Sequence, residues 1–446
     1  MRYVDEKVRA VLQAWTDTFP SNHVKDYSNS IRQYFNDICL MNDCIIKLIS
    51  EHRNVFIFST DNLTEAEALD FFKKNFLESS LISDTWEETA EKYISQRGNR
   101  RTLLIISGND VSVRQKCLNT FKKMTKIGSF FRTCEAVSDP NPLKGQDNWS
   151  GGMQLSDYFY ALPGMRRPDI LRLYALTGGT YMFIRDIDEN SDYDHALDML
   201  LRYDSLYSSY LPDLLEKSFR TPESYYPILY SISKGNHRLS EIAKDTDLPY
   251  NKCGNCLEAL INNGFVVPVR EKDKKNTSLY YCSNTYITSW FRYIYKNRNY
   301  QIADKDKLNK IIRDDIDDAI AMPVFREACM RFLKKSERDY LKPFQKGKNL
   351  TVEKNIRGVN YYGEGIKIDL SVSAGYTTLF CVFPESVKST FKKKELKDII
   401  EAVRISFPGT EKELTVFSVN RFSDWCVHYS KYDDYLHEVT LERLRY

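Results

Sequence analysis

The chain has 446 residues, 42% of them apolar and 13% aromatic, enough to bury cores in roughly two to four domains and too apolar for a disordered class. Its 64 basic and 61 acidic side chains leave a formal charge of +3, which excludes a nucleic-acid coat or an acidic tail and leaves only local patches to carry electrostatic meaning. No stretch approaches about 18 consecutive apolar residues, the opening MRYVDEKVRAVLQAW is charged where a signal peptide is apolar, and ten cysteines lie scattered; together these predict a cytoplasmic protein with reduced thiols and no membrane partner.

Residues 1 to 52 read as helix throughout. SIRQYFNDICLMNDCIIKLISEH places Ile31, Phe35, Ile38, Cys39, Cys44, Ile45 and Leu48 along one face. Three β-type runs follow, NVFIF at 54 to 58, TLLIIS at 102 to 107 and GSFFRTCEAV at 128 to 137, with helix-capable segments between them; the alternation predicts a small parallel sheet in an α/β unit. SDPNPLKGQDNWSGGMQ at 138 to 154 is rich in turn formers and reads as a long loop. Residues 155 to 216 read as helical, with RPDILRLYALTGGTYMFIRDI stopped by Gly178 and Gly179.

From 221 to 284 the pattern becomes helix, helix, helix, hairpin, with Ser240 as a helix-start candidate and Gly264 as a stop. This is the order of a winged helix-turn-helix, whose third helix enters the DNA major groove. The close pair Cys253 and Cys256 has only Cys282 near it, too few ligands for zinc, so no metal is expected. Residues 285 to 446 read as helices WFRYIYKNR and AMPVFREACMRFLKKS, strands at 366 to 374 and 377 to 383, a basic helix STFKKKELKDIIEAVRIS and a strand at 414 to 419.

In this order the pieces resemble the archaeal-type and bacterial ATPases of the STAND group in the AAA superfamily, which carry a winged helix and a C-terminal restriction-nuclease-like domain of the PD-(D/E)xK type. The likeness lies in LSDYFYALPGMRRPDILRLYALTGGTYMFI for the lid, in YYPILYSISKGNHRLSEIAKDTDLPYNKCGNCLEALINNGFVVPV for the winged helix, in YYCSNTYITSWFRYIYKN, and in the tail TVFSVNRFSDWCVHYSKYDDYLHEVTLERL. It implies a prokaryotic α/β multidomain protein with a degenerate P-loop NTPase-like domain at 1–154, a helical lid at 155–218, a winged helix at 219–284 and a nuclease-like domain at 285–446.

Both catalytic signatures of that family depart here. A phosphate loop needs glycines, so that backbone N–H groups close on phosphates, and a lysine to neutralise them. After NVFIF stands STDNLTEAEAL, with Asp61, Glu65 and Glu67 and neither glycine nor lysine. Thr64 is the weak nucleotide or metal candidate there. Its other reading is a helix N-cap with Glu65 and Glu67 in the favourable first turn. TLLIISGND ends in Ser107, Gly108 and Asn109, with Asp110 beyond, rather than in an acidic pair. In the nuclease-like part Asp369 matches the first acidic position, but the E-x-K positions are Phe380 and Val382, and the helical glutamate is answered by Glu327 only if Arg326 is not the aligned residue.

The winged helix needs no catalytic residue. Tyr250, Asn251, Lys252 and Asn255 open its third helix, and the wing carries Arg270, Lys272, Lys274 and Lys275, interrupted by Glu271 and Asp273. Further basic clusters stand at KKSERDYLKPFQKGK and FKKKELK. The expectation is a catalytically inactive relative of these ATPases, a pseudoenzyme binding duplex DNA or a protein partner with no cofactor. The alternative is an ATP- and magnesium-dependent switch or a nuclease with non-standard sites, and a third reading is a pure interaction scaffold.

Overall fold

The computed structural model describes residues 2–17, 30–35, 38–77, 85–98, 100–108, 111–125, 131–138, 153–270, 278–336, 338–346, 350–408, 411–430 and 435–444. The chain divides into two compact units, Met1–Pro142 and Leu143–Tyr446.

The first unit runs α1 (Arg2–Asp17), β1 (Ser30–Phe35), α2 (Ile38–Glu51), β2 (Val55–Ser59), α3 (Glu65–Phe76), α4 (Trp86–Arg97), β3 (Thr102–Ser107), α5 (Val111–Met124) and β4 (Phe131–Ser138). The strands form one sheet in the order β1-β4-β3-β2, each neighbouring pair parallel, so every connection is a crossover with helical chain in it. Central β3 is buried at all six positions, as a strand covered on both faces must be. Between strands and helices lies an aromatic core in which Phe72 sits 4.9 Å from Phe58, 5.1 Å from Tyr93 and 5.3 Å from Phe121, ring centre to ring centre.

The reading of residues 1 to 52 as helix throughout is corrected here. Ser30–Phe35 is a strand, in register from Ser30 opposite Thr133 to Phe35 opposite Ser138. Its hydrogen-bond partner lies about a hundred positions along the chain, and the spacing of Ile31 and Phe35, which suits a helix turn, carries no trace of that partner.

The second unit begins with short helices α6 (Tyr158–Ala161), α7 (Arg167–Thr177), α8 (Tyr181–Ile184), α9 (Tyr193–Leu200) and α10 (Leu206–Ser218). The segment expected to be a winged helix follows as α11 (Tyr226–Ser233), α12 (Leu239–Thr246), α13 (Tyr250–Asn262) and the antiparallel hairpin β5 (Val266–Arg270) and β6 (Ser278–Cys282). The first residue of α12 is Leu239, with Glu241 accepting the backbone N–H groups of His237 and Arg238 at 3.1 and 3.0 Å, rather than a turn begun by Ser240. Next come α14 (Thr285–Ser289), a π-helical segment Trp290–Tyr295, α15 (Arg298–Ala303), α16 (Lys305–Ile316), a second π-helical segment Asp317–Ala321, α17 (Met322–Lys335) and α18 (Lys342–Lys346).

The unit ends in a mixed sheet of β7 (Thr351–Val359), β8 (Gly365–Ala374), β9 (Thr377–Val382), β10 (Glu411–Ser418) and β11 (Leu436–Thr440), with α19 (Lys393–Ser406) and α20 (Asp424–Ser430) in the last two connections. The strand order is β11-β10-β9-β8-β7; β7, β8 and β9 run antiparallel, and β9, β10 and β11 parallel. The apolar face of α19 (Leu396, Ile399, Ile400, Val403) packs with Ile368, Phe380, Leu414 and Val416 of the strands. Edge strand β7 is kept from pairing further by Glu353, Lys354 and Arg357, all on a largely exposed strand. Among the described residues no helix is long and apolar enough to cross a membrane.

One glycine locks distant parts of this unit. α7 ends at Gly178 in the left-handed region, φ +62. The Asn284 side chain, which caps α14, reaches back to it: Nδ2 donates to Gly178 O at 3.2 Å while Oδ1 accepts from Tyr286 N–H at 2.8 Å. A Cβ on Gly178 would stand 1.7 Å from Asn284 Oδ1. Gly375 has a similar φ, +66, with open space around it. Gly375→Ala is therefore expected to cost about 1 kcal/mol from backbone strain alone, and Gly178→Ala at least about 2–3 kcal/mol, read as the difference in urea midpoints.

Candidate nucleic-acid interface

The winged helix is held by three apolar faces. α11 buries Ile228, Leu229 and Ile232, α12 buries Ile242 and Ala243, and α13 buries Cys253, Leu257 and Leu260 at spacings of four and three. α12 stops at Asp247, whose φ of +54 reverses the chain, and Pro249 occupies the N-cap of α13 with no side-chain hydrogen bond to the first-turn amides. The three-residue turn 247–249 between two packed helices is the helix-turn-helix connection. The hairpin is tied back to the helices, with Tyr280 N–H donating to His237 O at 2.8 Å.

Because Cys253, Leu257 and Leu260 point inward, the helical period turns Asn251, Asn255 and Glu258 outward with Lys252 on their flank, while Tyr250 lies in line with the buried stripe at the first turn; all five are exposed. Tyr250 is 58% exposed, unusual for an aromatic side chain. Arg270, at the end of β5, is exposed as well. Lys272, Lys274 and Lys275 lie outside the described residues. On the neighbouring surface Lys234 pairs with Asp245 at 2.9 Å and Arg238 with Glu241 at 3.7 Å. Burial pushes the Cys253 thiol up to about 11, away from the thiolate that metal binding requires.

The module is joined to the helices that follow it through one cluster. Arg292 donates from Nε and Nη2 to Asp315 at 2.5 and 2.7 Å and from Nη1 to Ser233 O, at the end of α11, at 2.8 Å; Tyr293 OH donates to Asp315 at 2.8 Å. The Arg292 bonds, followed by that of Tyr293, hold the Asp315 carboxyl below its usual range. A lowered folded-state value gives stability that is present above the unfolded value, about 4, and lost as pH falls through the folded one. The stability difference between wild type and Asp315→Asn is thus expected to be full at pH 6 and to close as pH drops below about 4, in urea titrations across that range.

The expected phosphate-loop position, STDNLTEAEAL, follows the second strand of the sheet in chain order, β2. In the order β1-β4-β3-β2 the first strand is β1, so the loop after the first strand is Asn36–Asp37, outside the described residues, and α2 begins at Ile38. The loop after β2 is internally satisfied. Thr64 caps α3: its N–H and Oγ1 donate to Glu67 at 2.9 and 2.7 Å, and Glu67 N–H donates back to Thr64 Oγ1 at 3.4 Å. Those bonds hold the Glu67 carboxyl below its usual range. Asp61 accepts from Ser59 at 2.9 Å, and Glu65 pairs with Lys116 at 3.3 Å.

Beside this loop the sequence reading missed a buried ion pair. Arg114 on α5 meets Glu135 on β4 at 3.2 Å, both nearly sealed from solvent, with Gln115 donating to the same carboxylate at 2.8 Å and Arg114 also donating to Gly108 O. The available signal was a glutamate inside the apolar run FFRTCEAV. Gly108, φ +146, is required there because a Cβ would stand 2.1 Å from Thr60 Oγ1.

In the mixed sheet Asp369 of β8 is paired with Lys367 at 2.7 Å and accepts the Phe383 N–H at 2.8 Å. Phe380 and Val382, the E-x-K positions, are buried in the core. Asp369 shares a cleft of about 490 Å³ with Arg326, while Glu327 lines a different cavity and pairs with Arg331 at 2.8 Å. The structure does not bring Glu327 and Asp369 together, since successive helix residues diverge by about 100°. Glu395 and Asp398 do line the Asp369 cleft, but Glu395 caps α19 and Asp398 accepts from Asn360 at 3.2 Å. Among the described residues no group of three or more His, Cys, Asp and Glu could hold a metal ion.

No family model matches the chain. A stretch of 202 residues is 24% identical to an uncharacterised protein, MJECL04, of Methanocaldococcus jannaschii, covering 45% of this chain and 42% of that protein. The match thus spans less than half of the archaeal relative. Among solved structures the chain is similar to the ORC1 protein of Aeropyrum pernix in complex with DNA, at 10% identity and a TM-score of 0.25 over 69% of this chain and 94% of that one. It is also similar to protein VC1899 from Vibrio cholerae, at 10% identity and a TM-score of 0.21 over 93% and 95% of the two chains. At these TM-scores neither likeness decides the architecture, which rests on the α/β units, the parallel sheet and the winged helix described above.

Proposed function

We propose that the chain binds duplex DNA through α13 and the wing, and that it does so without hydrolysing ATP or cutting DNA. The observation that carries this reading is the division of α13. One face is anchored by Cys253, Leu257 and Leu260, and the other presents Asn251, Lys252 and Asn255 to solvent at the N-terminal end of the helix, with exposed Tyr250 at its first position. In this reading Asn251 and Asn255 hydrogen-bond base edges in the major groove, Lys252 and Arg270 contact phosphates, and the wing lysines Lys272, Lys274 and Lys275 extend that track. The uncapped first turn of α13 supports phosphate contact in the same place.

A protein partner is the second reading. It is favoured by Tyr250, an exposed aromatic side chain, and by Glu258, a carboxylate on the outward face of α13. The glycine- and lysine-free STDNLTEAEAL loop, the satisfied Thr64 and the apolar E-x-K positions support a reading without catalysis.

A thermal-shift titration of the full chain with duplex DNA, ATP and ADP separates the alternatives, because a ligand that binds only the native state raises its melting temperature. Duplex alone is expected to do so. A shift with magnesium-ATP would overturn the reading, and no shift with any ligand would favour the protein partner.

A further inference from the structure

The winged helix also forms one wall of a cavity of about 750 Å³, a size ordinary for small-ligand sites. The wing strands supply Val267 and Tyr281, the helices after the wing supply Thr285, and α17 supplies Val324 and Ala328. Both π-helical segments border it, through Arg292 and Ile320; such widened turns recur at functional sites.

The charged groups around the cavity are already matched. Lys234 pairs with Asp245, Arg292 with Asp315 and Glu327 with Arg331. These pairs are partly exposed and individually weak, but each compensates its own charge, so a neutral ligand fits the lining without competing with them. Polar atoms for orienting a ligand remain. The Thr285 hydroxyl is buried with no hydrogen-bond partner, and a χ1 rotation would offer it to a ligand, relieving the cost of an unsatisfied buried group. His237, with Nδ1 against Tyr280 O at 2.9 Å, lies 4.2 Å from the Tyr281 ring and keeps Nε2 as its other hydrogen-bonding atom.

We propose that this cavity binds a neutral, largely apolar, ring-containing small molecule, seated on Val324 and Ala328 beside Tyr281 and hydrogen-bonded to Thr285. α13 forms no part of its lining, whereas the wing strands do.

The test uses the full chain and Nile red, a neutral apolar dye whose emission shifts to the blue when it is sheltered from water. Saturable, blue-shifted binding at one dye per chain is expected. Ala328→Trp, which fills the cavity, should weaken it at least about tenfold, and Thr285→Val, which keeps the side-chain shape and removes the hydroxyl, about threefold to tenfold. Should Ala328→Trp fail to fold by circular dichroism, Val269→Trp at a half-exposed wing position that also lines the cavity replaces it. Absent saturable binding, or binding that survives both the cavity-filling tryptophan and Thr285→Val unchanged, overturns the proposal.

Discussion

Replacing Arg172 by alanine is expected to cost about 3–5 kcal/mol of stability, the largest single effect among the polar contacts of the second unit. Arg172 on α7 donates from Nε and Nη2 to the two oxygens of Asp317 at 2.7 Å each, and from Nη1 to Asp169 at 2.7 Å. Only 12% of its side chain is exposed, and Asp169 is more deeply buried still. These bonds, led by those to Asp317, raise the guanidinium above its already high range, so it is charged at any working pH. Without it Asp169 keeps only the largely exposed Arg166, at 2.8 Å, and Asp317 loses its bidentate partner.

Lysine should not restore stability, because one ammonium cannot reproduce a planar fork that serves two carboxylates. Arg172→Met combined with Asp169→Asn and Asp317→Asn should recover part of the loss by removing the stranded charges. Urea unfolding reads all three. By contrast Lys234→Ala, in an exposed pair, should change stability by less than about 1 kcal/mol.

The second large effect concerns binding. Alanine at both Asn251 and Asn255 is expected to weaken duplex affinity by about 1–3 kcal/mol for each bidentate pair of hydrogen bonds to a base that it removes, and to relax sequence preference. Lys252→Ala should weaken binding evenly across sequences and lower the slope of log affinity against log salt by about 1. Combining the three changes should reduce affinity by roughly a hundredfold or more in fluorescence anisotropy with a labelled duplex. None of the three side chains is buried in the core, so the melting temperature should hold, and a loss of binding cannot be ascribed to unfolding.

The order of three helices and a hairpin over residues 226–282 was legible in the sequence because everything that defines it is local. The spacing of Cys253, Leu257 and Leu260, the stop at Gly264 and the two short runs of the wing lie within one contiguous segment, and the structure keeps their order. The strand β1 was not legible, because SIRQYF owes its conformation to pairing with Thr133–Ser138, far along the chain.

β7 and β11 were missed for related reasons. β7 is an exposed edge strand rich in charge, with Asn355 at φ +53, and lacks the apolar alternation that marks a strand. β11, LHEVT, is short and is held beside β10 by parallel pairing from Leu436 opposite Leu414 to Thr440 opposite Ser418. At the sites, the role of Thr64 as a cap was readable from the glutamate three positions on. The separation of Glu327 from Asp369, and the ion pair of Arg114 with Glu135, depend on which helix face meets which strand.

Hydrogen–deuterium exchange of the full chain, with and without a mixed-sequence duplex and in a buffer free of nucleotide, tests the central claim most directly. Slowed exchange concentrated at residues 247–262 and in the wing is the predicted result. Unchanged exchange there, with protection elsewhere or only after addition of magnesium-ATP, would contradict a winged helix that reads DNA without nucleotide.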